Sequence, residues 1–364
     1  MPNDLDLNNY IVNWNDASNF ELRNQLKIEY FNKLTEHHLA ACAPYNKILS
    51  RMSNFDVSAK SFAKIPFIPV GLFKHLELVS VQLENVAKTM NSSGTSGQLP
   101  SRIYLDKENS INQSKTLARI VTERVKIERA PLLVIDSPEV VKDRNQFSAR
   151  GAGILGFSMF GRPITFALNQ DMSLNMAAIE EFARQSSKID TLAYGFTSII
   201  WEHFILKLLE HNVRLDLNQT TLIHGGGWKK LTEQQVSSGD FNDTVQRVAG
   251  IRASVNYYGM VEQTGSIYLE CEEGYLHTSA FNEILVRRGR DFSIADLGES
   301  GLIQVLSVLP SSYPGHSIIT EDTGRIFGEE DCICGRFGKY FKVDGRLKSA
   351  EIRGCSDTYS SQFA

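Results

Sequence analysis

Residues 220–227 read TTLIHGGG, and this stretch sets the class of fold. Threonine, leucine and isoleucine suit a buried strand. The three glycines behind them allow a flat ring to approach the backbone, where a plain strand-to-helix turn needs only one. In open α/β sheets, ligands bind beyond the carboxyl ends of parallel strands, which is where these glycines fall. Two similar runs flank it, RAPLLVID at 129–136 and SVNYYG at 254–259. A polar, helix-compatible stretch containing Gln234, Gln235 and Val236 separates TTLIHGGG from SVNYYG. Asp190 is expected to cap a helix running to about His211. Short strands alternating with helices predict an α/β fold with a mainly parallel sheet.

Further out the pattern changes. Up to about Met52 the apolar residues Phe20, Leu22, Leu26, Tyr30, Phe31, Leu34 and Leu39 recur at helical spacing. Two prolines in IPFIPVGLF, 65–73, prevent a regular helix and predict an extended, packed segment. After about Leu276, NEILVRRG, GLIQVLSVL and RIFGEEDCICGR are strand-like pieces punctuated by glycine, which predicts a smaller β-rich subdomain at about 277–345. The final segment, from Tyr340, holds one more strand-like piece and a polar tail.

Composition removes whole classes of function. The 38 Lys and Arg against 42 Asp and Glu give a net charge of −4, so the chain lacks the basic surface that general nucleic-acid binding requires. The most apolar long stretch, 191–209, is broken by Glu202, His203 and Lys207 and reads as a buried helix, not a membrane span. An N-terminus with early acids and no apolar core shows no secretory signal. With an odd number of cysteines, five, this points to a reducing, cytoplasmic setting.

Three loops can carry chemistry. In NSSGTSG, 91–97, two glycines let successive N–H groups converge while Ser92, Ser93, Thr95 and Ser96 add hydroxyl donors, as a polyphosphate cradle demands. The lysine of a Walker loop is missing, and a plain surface loop stays open as the alternative. HGGGWKK, 224–230, is the second loop. In the third, NYYGMVEQTGS at 256–266, Tyr258 offers an aromatic face, Gly259 a close turn and Glu262 a carboxylate of the kind that holds Mg²⁺ with phosphate oxygens. Separately, Cys271, His277, Cys332 and Cys334 form a ligand set suited to tetrahedral zinc, although their spacing is not that of a zinc finger. Two reduced cysteine pairs without metal remain the competing reading.

Taken in order, NSSGTSG, GGG, YGxxE, TED (320–322) and DGRLK (344–348) resemble the adenylate-forming superfamily of acyl-CoA synthetases. Within it, IPFIPVGLFK, SSGTSGQLPSRI, YGMVEQTGS, SYPGHSIITED and VDGRLKSAEIRGCSDT look like the bioluminescence-type acyl-protein synthetases, the long-chain-fatty-acid–luciferin-component ligases. The resemblance runs from about Phe31 to the end; phenylacetate–CoA ligases look like more distant relatives. It implies a large adenylate-forming core at 1–345, with mixed sheets and the β-rich subdomain, and a C-terminal domain reduced to a short tail at 346–364.

The resemblance also implies roles. Ser92, Ser93, Gly94, Thr95, Ser96 and Gly97 hold the β- and γ-phosphates of ATP. Gly226 and Gly227 face adenine, with Tyr258 stacked against it and Gly259 in the turn; Glu262 binds Mg²⁺; Asp322 takes the ribose hydroxyls, with Arg346 helping. CICGR looks like a segment that carries structural Zn²⁺ in some phenylacetate–CoA ligases. There are departures: Val261 replaces a common threonine, and Pro100-Ser101-Arg102 stands where Pro-Lys is usual, leaving Arg102 as the nearest cation. The superfamily's lysine-bearing C-terminal domain has no counterpart here, which directs attention to Cys355, since a thiolate is an effective acyl acceptor at neutral pH. The family implication is a fatty acid activated to acyl-AMP, passed to Cys355 and handed to a partner acyl reductase that makes aldehyde. A CoA ligase and a non-catalytic nucleotide-binding subunit are the rivals.

Overall fold

The computed structural model describes residues 5–52, 57–92, 99–142, 149–227 and 236–347. The chain divides into two units, one of Met1–Leu117, Gly259–Tyr268 and Glu272–Ala364, the other of Ala118–Tyr258 and Leu269–Cys271.

The first unit opens with helices at Leu7–Asp16, Phe20–Ala41 and Ala43–Leu49. Asp6 starts the first by accepting from the N–H groups of Asn8 and Asn9, and Asn19 starts the second by accepting from Leu22, so donors left over at each helix start are satisfied. Along the second helix, Lys27, Tyr30, Phe31, Leu34, Thr35 and His38 are buried at three- and four-residue spacing, one continuous face. The buried Lys27 is compensated: it pairs with Glu283 at 3.2 Å and donates to the carbonyls of Ser279 and Asn282 at 3.0 Å each.

The β-rich part of this unit is antiparallel. Asn282–Arg287 pairs with Gly301–Ser307, that strand with Ser317–Glu329, that with Lys339–Arg346, and the last with the short Leu276–His277. Ile68–Pro69 adds in parallel beside Ile318 and Ile319. Of the IPFIPVGLF segment only this first half is extended, because after Gly71 the chain closes a single helical turn, Leu72–His75. A separate hairpin pairs Val86–Asn91 with Arg102–Asp106.

The second unit is the parallel sheet that TTLIHGGG predicts. Its strands lie in the order Ala253–Tyr258, Thr220–Gly225, Thr191–Phe196, Ala130–Val134, Gly161–Phe166, all parallel. Every residue of Thr220–Gly225 is buried, as a strand covered on both faces requires. Leu222 and Leu133 share one core with Phe182, Phe204, Phe241 and Val245, each worth about 1.5–3 kcal/mol of burial. The helix Ser238–Ala249 begins with Ser237 accepting from the Asp240 N–H and ends at Gly250 in the left-handed region, φ 69°.

Three expectations about elements are corrected. Asp190 caps no helix: Thr191–Phe196 is a strand, and the helical stretch begins at Thr197 and continues to Glu210, with a π-helical segment at Ile200–Ile205. Apolar continuity suits a buried helix as well as a strand, but pairing on both edges with neighbouring parallel strands decides for the strand, and Asp190 pairs instead with Arg252 at 2.8 Å. The helix placed around Gln234 and Gln235 starts at Ser238; Val236 is not helical, and 228–235 lie outside the described residues. RIFGEEDCICGR is strand only as far as Glu329; Glu330, Gly335 and Gly338 take positive φ and turn the chain through the two cysteines.

Candidate active site

The NSSGTSG loop joins the two strands of the Val86–Asn91/Arg102–Asp106 hairpin. Residues 93–98 lie outside the described residues, so Ser93, Gly94, Thr95, Ser96 and Gly97 keep their sequence reading only. Its neck is described. Ser92 donates its N–H to the Ser101 carbonyl at 3.0 Å, and Ser101 returns its N–H to the Ser92 hydroxyl at 2.8 Å. The two ends of a ten-residue excursion are thereby clamped together.

Glu262 stands in the same unit, in a short helical turn at Val261–Gln263, and is buried. The Ser101 hydroxyl, buried and without a hydrogen-bond partner among the described residues, bears on the Glu262 carboxylate. Burial pushes this carboxyl above the ordinary range, and the Ser101 hydroxyl, its own backbone N–H and the charges of Lys74 and Arg346 pull it part of the way back. Keeping a carboxylate out of water is costly, and such strained electrostatics concentrate where a charge is used. The main chain of Glu262 is held from behind: Tyr313, fully buried, donates its hydroxyl to the Glu262 carbonyl at 2.8 Å, and a Cβ on Gly315 would come within 2.8 Å of that same oxygen. Gly259 begins the segment that leads into this turn.

Asp322 and Arg346 face each other in register across the strand pair Ser317–Glu329 and Lys339–Arg346. The Arg346 guanidinium lies 3.9 Å from Asp322 and 3.1 Å from Glu321, so it bridges two carboxylates while its field reaches Glu262. Arg102 is different: it is exposed, on the strand face it shares with Tyr104, whose hydroxyl its charge perturbs. Ser101, just before the strand, is buried.

In the second unit, Gly226, Gly227 and Tyr258 fall at the carboxyl ends of adjacent parallel strands. Gly226 takes φ 82°, and a Cβ there would meet the Phe196 ring at 2.8 Å, so glycine is required twice over. Around it stands an aromatic wall the sequence reading did not isolate. Phe157 stacks on Tyr194 at 4.2 Å, and the hydroxyls of Tyr194 and Tyr257 hydrogen-bond at 2.9 Å. A Cβ on Gly153 would come within 2.3 Å of the Tyr194 hydroxyl, so glycine is needed there for the packing against this wall. His224, next to the glycines, is pushed down to about 3 by burial and is held neutral, its Nδ1 2.9 Å from the Thr197 hydroxyl.

The family model described as "Acyl-protein synthetase, LuxE" matches residues 3–364. The chain belongs to that family. No curated protein matches it. Among solved structures, an open conformation of 2-hydroxyisobutyryl-CoA ligase in complex with 2-HIB-AMP and CoA is similar to this LuxE-family chain, with a TM-score of 0.69 and 14% identity over 90% of this chain and 76% of that one. The same ligase in its postadenylation state, in complex with 2-HIB-AMP, gives 0.68 and 14% over 91% and 69%. At such identity the likeness is one of fold, and the fold is that of an adenylate-forming ligase.

Of the cysteine–histidine set in this LuxE-family chain, His277, Cys332 and Cys334 lie in the first unit with their ligand atoms within 4.8 Å of one another, and Cys334 Sγ is 3.4 Å from His277 Nε2. A zinc tetrahedron with Zn–S of about 2.3 Å and Zn–N of about 2.0 Å separates donors by roughly 3.5–4 Å, so these three fit the ion. Cys271, buried, closes the Leu269–Cys271 segment of the second unit. Cys355 lies outside the described residues. No helix among the described residues is long and apolar enough to cross a membrane. Lys74, Ser101 and Tyr313 are the residues of this site that sequence reasoning missed. All three sit in segments quoted for the resemblance, but only the tertiary structure relates them to Glu262.

Proposed function

We propose that the protein activates a long-chain fatty acid with ATP to acyl-AMP and transfers the acyl group to a protein thiol, that of Cys355, for delivery to an acyl reductase that produces fatty aldehyde. Membership of the acyl-protein synthetase family supports this reading. The observation that carries it is that one unit holds the buried Glu262 carboxylate, the Ser92–Ser101 clamp at the neck of the serine–glycine loop, and the pair Arg346 and Asp322.

In this reading a carboxylate oxygen of the fatty acid attacks the α-phosphorus of ATP and pyrophosphate leaves with the bonding electrons. No protein nucleophile is needed for that step; position and charge neutralisation supply the rate. Ser92 to Gly97 hold the β- and γ-phosphates, Gly226 and Gly227 face adenine, Tyr258 stacks on it, Gly259 keeps the turn tight, and Asp322 takes the ribose hydroxyls with Arg346. Glu262 would hold Mg²⁺, which offsets phosphate charge when bound. His277, Cys332 and Cys334, with Cys271 as the fourth ligand the sequence offers, would hold a structural Zn²⁺. The core spans 1–345, the tail 346–364 carries the acceptor, and the cytoplasm is the setting.

Pyrophosphate exchange into ATP across a panel of carboxylic acids tests the reading. Exchange that depends on a long-chain acid is expected without CoA; CoA-dependent release of AMP would favour a CoA ligase instead. No exchange with any acid would reduce the protein to a nucleotide-binding subunit and defeat the proposal.

A further inference from the structure

In the adenylation reading Gly226 and Gly227 face adenine, and the HGGG stretch that holds them opens with a buried histidine, His224. Resting on that reading, we infer that Thr197 and His224 are positioning residues: a hydrogen-bonded link from the His224 imidazole through the Thr197 hydroxyl to the Gly225 carbonyl fixes the glycine turn against which the nucleotide base is held.

The link crosses between two neighbouring strands of one unit. Thr191–Phe196 and Thr220–Gly225 run parallel, with Gly195 beside His224 and Phe196 beside Gly225. Thr197 is the first residue beyond this pairing, where the chain passes into helix. It is buried, its hydroxyl donates to the Gly225 carbonyl at 3.2 Å, and the same oxygen lies 2.9 Å from His224 Nδ1. The Phe196 ring lies against Gly226, where a Cβ would meet it at 2.8 Å. Phe196 and Thr197 thus grip successive residues of the turn, one by its ring and the other by its hydroxyl. Behind the link, the His224 ring packs on the buried Phe241 at 4.6 Å between ring centres, and its Nε2 has no partner among the described residues.

The proton count fixes the tautomer. A threonine hydroxyl has one hydrogen, and a carbonyl can only accept. The hydrogen given to Gly225 leaves the Thr197 oxygen an acceptor toward His224, so Nδ1 carries the imidazole proton. The other tautomer would bury an N–H at Nε2 with no acceptor among the described residues, a costlier orphan than a lone pair. Gly226 takes φ 82° and has no side chain to be held by, so the peptide before it is where the turn can be fixed. Ordering that turn in advance spares the base the cost of ordering it on binding. The base lies away from the reacting phosphorus and is held alike before and during the reaction, so loss of the link shows in KM for ATP and not in kcat.

The test is pyrophosphate exchange with MgATP and tetradecanoic acid, measured for the wild type, Thr197→Val, Thr197→Ser, His224→Asn and His224→Gln, alongside thermal unfolding. Thr197→Val keeps the branched shape and removes the hydroxyl; KM for ATP should rise roughly tenfold, the size of one lost hydrogen bond, with kcat within about threefold. Thr197→Ser keeps the hydroxyl and should stay within about threefold of the wild type in both constants. Asparagine places its amide donor near Nδ1 and glutamine near Nε2, so His224→Asn should retain a lower KM for ATP than His224→Gln. If Thr197→Val unfolds, the two His224 variants carry the comparison. A folded, active Thr197→Val with KM for ATP within about twofold of the wild type overturns the assignment alone, as does a loss confined to kcat, or His224→Gln matching or surpassing His224→Asn. A wild type that exchanges with no acid overturns the adenylation reading itself.

Discussion

The hydroxyl of Tyr313 donates to the carbonyl oxygen of Glu262 across 2.8 Å, with the tyrosine fully buried. This bond holds the backbone of a buried carboxylate. Tyr313→Phe keeps the ring that packs on Phe73 and removes only the donor. Leaving a buried carbonyl without that partner should cost about 1–3 kcal/mol in urea unfolding. Exchange kcat should fall by roughly tenfold as Glu262 loses its fixed position. Unchanged stability together with unchanged kcat would mean that the bond does not position Glu262.

Cys355 separates the two half-reactions. Cys355→Ser should leave carboxylate-dependent pyrophosphate exchange within about twofold of the wild type, since adenylation uses no thiol. Labelling of the protein by radioactive fatty acid, released by neutral hydroxylamine as a thioester is, should disappear. Persistent hydroxylamine-labile label in that variant would move the acceptor to another cysteine.

The cysteine–histidine trio makes a prediction about metal. Protein purified without chelator should contain about one zinc per chain, and its removal should lower the thermal midpoint, because structural zinc contributes directly to folding. Cys334→Ala should bind the ion more weakly while keeping exchange activity in zinc-replete buffer. A zinc content near zero in the untreated protein would leave these residues as reduced thiols packed beside an imidazole.

A histidine pair sets the response to acid. His38 and His316 are fully buried and stacked at 5.0 Å. His38 has Ser80 and the Pro310 carbonyl as partners, and His316 has Thr35. Burial holds His316 down at about 3 and His38 well below its ordinary 6.5. The unfolded chain therefore binds protons that the native protein refuses, so stability falls as the pH drops below about 6.5, by up to roughly 1.4 kcal/mol per pH unit for each histidine. Urea unfolding between pH 7 and pH 5 should show this slope, and His316→Gln should reduce it by about one proton. An unchanged slope in that variant would show His316 to be protonated alike in both states.

Much of the fold was legible because its signals are local. The apolar runs ending in glycine at 220–227 and 254–259 identify the parallel strands, since a strand buried on both faces must be apolar throughout and only glycine turns sharply at its end. The misreading at 191–196 has an equally local cause: an apolar run without alternation suits a buried strand and a buried helix alike, and only the neighbours on its two edges distinguish them.

The sequence by itself determined the order of the loops, the residue types that can meet phosphate, ribose and magnesium, and the family. Only the tertiary structure decided which charges meet. It set the Tyr313 hydroxyl against the Glu262 carbonyl, put Asp322 opposite Arg346, and gathered His277 with Cys332 and Cys334. The physical reason is range. Backbone propensity acts over a few residues and is written in the order of the chain, whereas electrostatic and ligand contacts act through space and exist only once distant segments have packed.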